Sequence, residues 1–137
     1  TPLSSVGLCE HNLAKNLPAH SSLSRVRTLN LVWSATATLS ASSPKYDAVF
    51  ACDVVYDLSI LHPLLATASS YLEPGKSFVL SHIPRANASE GRAVGKEEEI
   101  KAKIREEAKR WELQLVGEWR LSSGGQEGSI LLLNKNQ

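Results

Sequence analysis

Two apolar segments with the pattern of β-strands flank a helical segment in the middle of the sequence. The first covers residues 46–54, "YDAVFACDV", and is almost continuously apolar after Asp47. The helical segment, "DLSILHPLLATASSYL", has apolar residues at spacings of three and four: Leu58, Leu61, Leu65, Ala68 and Leu72. The second strand-like segment, "SFVLSHIP", covers residues 77–84. A strand, a helix and a strand in this order predict a parallel sheet, with the first strand covered on both faces.

The sequence before this unit predicts the end of a helix and one further strand. Residues 8–16, "LCEHNLAKN", resemble the last turns of a helix, which Pro18 would end because proline disfavours helix in the residue before it. Residues 26–33, "VRTLNLVW", alternate as in a strand. We expect its inward face to carry Leu29, Leu31 and Trp33.

The sequence after this unit predicts a long helix and a hairpin. Residues 96–113, "KEEEIKAKIREEAKRWEL", place Ile100, Ile104, Ala108 and Trp111 on one stripe. The predicted i,i+4 ion pairs are Glu97–Lys101, Glu99–Lys103 and Glu106–Arg110. The segments "QLVGEWRL" and "SILLLNKN" flank a Gly-rich turn and predict an antiparallel hairpin. The fold class is therefore α/β, with a mostly parallel sheet and a C-terminal antiparallel hairpin.

Composition excludes several classes of protein. The 137 residues suffice for one domain, and a net charge of +1 does not indicate a nucleic-acid surface. No run approaches the 18 or so apolar residues of a membrane span. Cys9 and Cys52 are expected as free thiols, with a disulfide as the alternative. Free thiols favour a reducing compartment, the cytoplasm or also the nucleus. Because Met is absent from the sequence, we expect residues upstream of Thr1 to be missing.

Three short motifs are weak candidates for a functional site. "PGKS" at 74–77 lacks the helix that must follow a phosphate-binding loop, so we interpret it as part of a turn. Cys9 and His11 have no second Cys/His pair at ligand spacing, so no metal site is predicted. Cys52 and His82 end successive strands, and a nucleophilic Cys–His pair remains an alternative.

Polar and aromatic residues gather where the predicted strands end. Asp53 and Tyr56 lie at the carboxyl end of the first strand, Trp33 ends the preceding one, and His82 and Arg85 end the next. Ligands of open parallel sheets bind beyond the carboxyl ends of the strands, where a carboxylate and an indole suit a nucleoside. The same pattern also fits a core Trp33, an Asp53 cap and a Tyr56 that covers the helix. From these residues alone, the two interpretations are equally supported.

Five segments resemble one enzyme family in order and spacing. They are "NLAKNLPAH" (12–20), "LNLVW" (29–33), "YDAVFACDVVYD" (46–57), "LLATASSYLEPG" (64–75) and "LSHIPR" (80–85). Together they resemble methyltransferase family 16, whose seven-strand, Rossmann-like enzymes use S-adenosylmethionine and mostly methylate lysines of non-histone proteins. The family's signature, an acidic residue, two spacers and Tyr, is present as "DVVY" at 53–56.

The resemblance implies a role for four residues. Trp33 matches the tryptophan beside the cofactor adenine, and Cys52 matches a small residue that borders the cofactor. Asp53 and Tyr56 match the pair that faces the substrate lysine, so they are the predicted catalytic residues. The sequence departs from the family at Ser34, which is usually Gly, and by lacking the Gly-rich loop and the acidic strand end expected upstream.

The resemblance therefore implies that residues 1–137 form the C-terminal two-thirds of a single methyltransferase domain, with its N-terminal strands and Gly-rich loop missing. We expect S-adenosylmethionine as cofactor, no metal, a protein substrate with a lysine side chain, and a monomer that binds neither nucleic acid nor membrane. Two alternatives remain: a non-catalytic protein-interaction module, and an enzyme of the same fold acting on a small molecule or a histidine.

Overall fold

A computed structural model of the chain describes residues 5–16, 26, 28–34, 44–83, 97–123 and 126–137. The chain divides into two compact units, Thr1–Val32 and Trp33–Gln137. None of the described helices is long and apolar enough to cross a membrane.

The first unit contains one described helix, α1, at Ser5–Asn16. It confirms the predicted helix end and begins three residues earlier than residue 8. The Asn16 side chain donates a hydrogen bond to the Asn12 carbonyl oxygen (2.8 Å), within the last turn of the helix.

The prediction of a strand at 26–33 is wrong. Residues 26 and 28–34 have no regular secondary structure, and Leu29 and Leu31, which were expected to point inward, are exposed. Their alternating pattern is that of a strand, but a strand also needs a neighbour that accepts and donates its backbone hydrogen bonds. No described residue forms such a ladder with this segment.

The second unit contains the sheet. Its elements are β1 (Tyr46–Cys52), α2 (Leu61–Tyr71), β2 (Leu72–His82), α3 (Glu97–Arg110), β3 (Leu113–Ser123) and β4 (Gln126–Lys135). The described strands lie in the order β1-β2-β4-β3, with β1 and β2 parallel and the other two pairs antiparallel. The α/β class and the C-terminal hairpin are confirmed, and the β1–α2–β2 unit supplies the parallel pair. The described sheet is mixed where a mostly parallel one was predicted, since two of its three described strand pairs are antiparallel.

The predicted turn "EPGK" is a bulge inside β2. Tyr46 pairs with Leu72 and Ala48 with Ser77, so four residues of β2 lie opposite the single residue Asp47. Gly75 has a φ of +74°, which a glycine adopts without steric cost. A helix precedes this segment and a strand follows it, which agrees with the rejection of a phosphate-binding loop.

Helix α2 is fixed at both ends. A short 3-10 turn at Leu58–Ile60 precedes it, and the Asp57 side chain caps this turn by accepting the Ser59 N–H (2.7 Å). At the other end Lys135 donates hydrogen bonds to the carbonyl oxygens of Ser69 (2.7 Å) and Leu72 (3.1 Å). Burial at this position lowers the pKa of the Lys135 ammonium group.

Helices α2 and α3 pack on the same face of the sheet. They share one apolar core with buried residues of the four strands, because Ala51, Leu80 and Leu131 lie side by side in register, as do Phe78 and Leu133. The predicted stripe on α3 is confirmed for Ile100, Ile104 and Ala108, which are buried, while Trp111 is half-buried.

Among the described side chains of α3, the ion pairs span three residues where Glu99–Lys103 and Glu106–Arg110 were predicted to span four; the Glu97 side chain of the third predicted pair lies outside the described part. Lys103 contacts Glu106 (3.4 Å) and Arg110 contacts Glu107 (3.6 Å). Glu107 also pairs with His62 of α2, whose ring lies 5.1 Å from that of Trp111, so polar contacts join the two helices outside the core.

The prediction that β1 is covered on both faces is wrong. Ala51 is its one buried residue, and Phe50, on the opposite face, is 68% exposed. The continuous apolar sequence suggested two covered faces, but β1 is an edge strand of the described sheet and the described helices α2 and α3 pack on the other face.

Candidate active site at the end of β1

The chain leaves β1 through an unusual backbone conformation at Asp53. Its φ of +51° lies in the left-handed region, which Glu112 alone shares among the described non-glycine residues. Its N–H donates a hydrogen bond to the Ser81 carbonyl oxygen (2.9 Å), next to the pairing of Cys52 with Ser81. A left-handed residue costs about 1–2 kcal/mol outside glycine, and such strain concentrates at functional sites.

The four residues of "DVVY" divide between the core and the surface. Val55 is buried and Val54 packs against the core, so the middle of the segment is anchored. Asp53 is half-buried and Tyr56 is 60% exposed. The segment therefore holds a carboxylate and a phenol near the surface on a fixed backbone.

Asp57, the second aspartate after β1, has a structural role. It caps the turn before α2 by accepting the Ser59 N–H. Tyr56 leaves most of its side chain in solvent, which contradicts a role in covering the helix. The catalytic roles of Asp53 and Tyr56 therefore stay a prediction, while a helix-covering role for Tyr56 is contradicted.

Trp33 is the residue that the family resemblance places beside the cofactor adenine. It is half-buried and packs against the core of the second unit. The N–H of the next residue, Ser34, donates a hydrogen bond to Oγ1 of Thr67 in α2 (3.2 Å). Part of the indole is therefore accessible to a ligand while the rest is held by the core.

Cys52 is exposed at the last position of β1. His82 is buried at the end of β2 and pairs in register with Ser129. Because Cys52 lies beside Ser81 and successive side chains of a strand alternate between faces, Cys52 and His82 point to opposite faces of the sheet. This geometry excludes the Cys–His pair that the sequence left open. Arg85, the other residue predicted near this end, lies outside the described residues.

No metal centre is found in the described ranges. There, no group of three or more His, Cys, Asp or Glu side chains is arranged to hold a metal ion.

Thr67 is a site-related residue that the sequence analysis missed. It is buried among the apolar residues of α2, and its hydroxyl reaches the segment that carries Trp33. The available signal was a hydroxyl at a position where the helical pattern places core residues, but its partner, 33 residues away, cannot be found from periodicity.

Comparison with known proteins assigns the family. A model of the lysine methyltransferase family, methyltransferase family 16, matches residues 3–92, more than half of the chain. The chain belongs to this family. The matched range includes all four predicted site residues of this family 16 chain: Trp33, Cys52, Asp53 and Tyr56. No curated protein sequence matches the chain significantly.

One solved structure has a fold similar to that of this chain. The family 16 chain is similar to the crystal structure of the N-methyltransferase NodS from Bradyrhizobium japonicum WM9, with 15% identity, a TM-score of 0.51, and coverage of 71% of this chain and 55% of that one. A methyltransferase from Pyrococcus furiosus gives 15% identity and a TM-score of 0.48, with coverage of 68% and 43%. The chain thus spans about half the length of these two structures.

Proposed function

We propose that this chain is the part of an S-adenosylmethionine-dependent methyltransferase that positions a protein lysine for methylation. The observation that carries the proposal is Asp53, held in a left-handed conformation directly after β1, with the exposed Tyr56 three residues further along. Family membership supports the methyltransferase class, and the description of the family as lysine methyltransferases supports the substrate.

The two proposed catalytic side chains suit an amine nucleophile. When bound, S-adenosylmethionine supplies a methyl group on a sulfonium, which an uncharged amine attacks in line. A lysine arrives as an ammonium ion, which the Asp53 carboxylate attracts and orients. The ammonium must release one proton to solvent before its nitrogen, now uncharged, can attack the methyl carbon. The Tyr56 oxygen accepts a hydrogen bond from the nitrogen, and together the two groups restrict it to the attack direction.

The residues proposed for the cofactor fit its chemistry. The accessible part of the Trp33 indole offers an apolar aromatic surface, as an adenine ring requires. Cys52 is exposed at the carboxyl end of a parallel strand, where ligands of α/β sheets bind. We propose these two residues as contacts of the adenosyl group.

The first experiment measures cofactor binding and methyl transfer by the full-length protein. Isothermal titration calorimetry with S-adenosylmethionine should show a single site. Transfer of a labelled methyl group into lysate proteins, followed by acid hydrolysis, should then give methyl-lysine. No binding at millimolar cofactor would overturn the proposed enzyme. Label in methyl-histidine, or in the small-molecule fraction, would overturn the proposed substrate.

A matched pair of variants tests the role of Asp53. Asp53→Asn keeps the size of the side chain and tolerates a left-handed φ, so we expect transfer to fall at least about 100-fold with cofactor affinity within a few-fold. Asp47→Asn is the control, because Asp47 is an exposed carboxylate at the opposite end of β1, where it pairs with Lys76 (2.7 Å). Equal effects of the two variants would contradict the proposed role.

A further inference from the structure

Thr67 is a buried hydroxyl residue in the middle of α2. Its exposed fraction is 7%, and its neighbours Ala66 and Ala68 are also buried. A buried hydroxyl needs a hydrogen-bond partner to offset its lost hydration. The Thr67 hydroxyl meets this need by accepting the backbone N–H of Ser34 at 3.2 Å.

The part of α2 that carries Thr67 is itself held by further hydrogen bonds. Ser70 donates its hydroxyl to the Thr67 carbonyl oxygen (2.7 Å). Two residues beyond Thr67, the Ser69 carbonyl oxygen accepts a hydrogen bond from Lys135 of β4 (2.7 Å). The acceptor for Ser34 therefore belongs to a rigid element that is tied to the sheet.

The donor, Ser34, belongs to a segment of a different kind. Residues 28–34 lie outside helices and strands, so no ladder of backbone hydrogen bonds fixes their conformation. Trp33 precedes Ser34 directly and packs its indole partly against the core. A fixed Ser34 amide thus limits how the backbone at Trp33 can rotate, and with it the direction of the indole.

We infer that Thr67 is a positioning residue, which orients the Trp33 indole by accepting the Ser34 N–H. The inference rests on the proposed function, in which this indole contacts the adenine of the cofactor. Thr67 acts through Trp33 and touches neither reacting group. Its loss should therefore weaken cofactor binding, with little effect on the chemical step once the cofactor is saturating.

The test uses two substitutions of Thr67 and one control. Thr67→Val keeps the shape of the side chain and removes the acceptor, whereas Thr67→Ser keeps the hydroxyl. Ser69→Ala is the control, since Ser69 is equally buried on the same helix but its backbone carbonyl, not its side chain, binds Lys135. Circular dichroism establishes that each variant of the full-length protein is folded.

The first measurement needs no cofactor. In Thr67→Val, amide hydrogen exchange at Ser34 should accelerate at least about tenfold and the indole N–H resonance of Trp33 should move, while Thr67→Ser and Ser69→Ala stay close to the wild type. Unchanged exchange at Ser34 or an unmoved indole resonance in Thr67→Val would overturn the positioning role, whatever the protein's activity.

The second measurement connects positioning to function. For Thr67→Val we expect the Kd and the KM for S-adenosylmethionine to rise roughly tenfold with kcat unchanged, and Thr67→Ser to restore both. A shifted indole resonance with unchanged Kd would overturn the link from Thr67 to the cofactor. If the wild type binds no S-adenosylmethionine, the proposed function fails, and with it the link from Thr67 to the cofactor. The exchange data then still decide whether Thr67 positions Trp33.

Discussion

The backbone N–H of Asp53 donates a hydrogen bond to the Ser81 carbonyl oxygen across 2.9 Å, while Asp53 itself has a φ of +51°. The parallel neighbour β2 thus holds the residue at the point where the chain leaves β1. Val54 and Val55 anchor the other side of Asp53 in the core. Strain of this kind persists when the surrounding structure over-determines the conformation, as it does here.

The strain at Asp53 predicts that Gly and Ala at this position change the stability in opposite directions. Asp53→Gly should raise the free energy of unfolding by up to about 1 kcal/mol, because glycine adopts a left-handed φ without a steric penalty. Asp53→Ala should lower it by about 1 kcal/mol, because alanine keeps the Cβ and lacks the polar side chain that tolerates this region. Both should abolish methyl transfer. Urea unfolding of the two variants checks the prediction, and a Gly variant less stable than the Ala variant would contradict it.

Local patterns explain which parts of the fold could be predicted. The β1–α2–β2 unit, the stripe on α3 and the C-terminal hairpin each depend on residues that are close in sequence, so their periodicity was informative. The segment 26–33 was predicted wrongly, since its strand pattern requires a distant partner that the described residues do not provide.

The position of the candidate site could be predicted from the sequence, but its backbone conformation could not. The pattern placed Asp53 and Tyr56 at the end of a strand, and the family motif gave them roles, but neither could show the left-handed backbone at Asp53. The exposed face at Phe50 depends on where both helices pack, and the Thr67 contact depends on tertiary structure. Such features can be found only in the three-dimensional structure, because they depend on residues that are far apart in the sequence.

Two phenylalanines on opposite faces of the sheet should respond differently to truncation. Phe78 is fully buried beneath the helices, so Phe78→Ala should lower the free energy of unfolding by about 3–5 kcal/mol. Phe50 is exposed on the other face, so Phe50→Ala should change it by less than about 0.5 kcal/mol. Denaturant unfolding of the 137-residue chain measures both. A large loss for Phe50→Ala would show that its face is covered in solution.

The Lys101–Glu118 ion pair predicts a pH-dependent stability. Lys101 is buried on α3, with 1% of its side chain exposed, and donates to Glu118 of β3. This hydrogen bond, aided by the charges of Arg105 and Arg120, lowers the pKa of Glu118 below its ordinary value of 4.5, against the opposing effect of burial. The carboxylate therefore stabilises the fold fully above pH 4.5, and this contribution is lost as the pH falls through the lowered pKa.

Glu118→Gln should lower the free energy of unfolding at pH 7 by about 1–3 kcal/mol, because it deprives a buried ammonium of its nearer anionic partner. The difference in the free energy of unfolding between Glu118→Gln and the wild type should shrink as the pH falls below 4.5. Glu106→Gln is the control, since Glu106 and Lys103 form an exposed pair that should contribute less than about 1 kcal/mol. Thermal unfolding from pH 7 to pH 3 measures both, and a pH-independent effect of Glu118→Gln would be inconsistent with the ion pair.

Two glycines of the hairpin differ in what an added methyl group would meet. At Gly128 a Cβ would lie 2.9 Å from the backbone carbonyl oxygen of His82, which cannot move without disturbing the pairing of β2 with β4. At Gly117 the contact is 2.7 Å from the far end of the Trp119 side chain, which is half exposed and able to rotate outward. Gly128→Ala should therefore cost about 1–3 kcal/mol of stability and Gly117→Ala less than about 1 kcal/mol, with a change in Trp119 fluorescence only in the second variant. Equal losses of stability in the two variants would contradict the close approach of Gly128 in β4 to the His82 carbonyl oxygen at the end of β2.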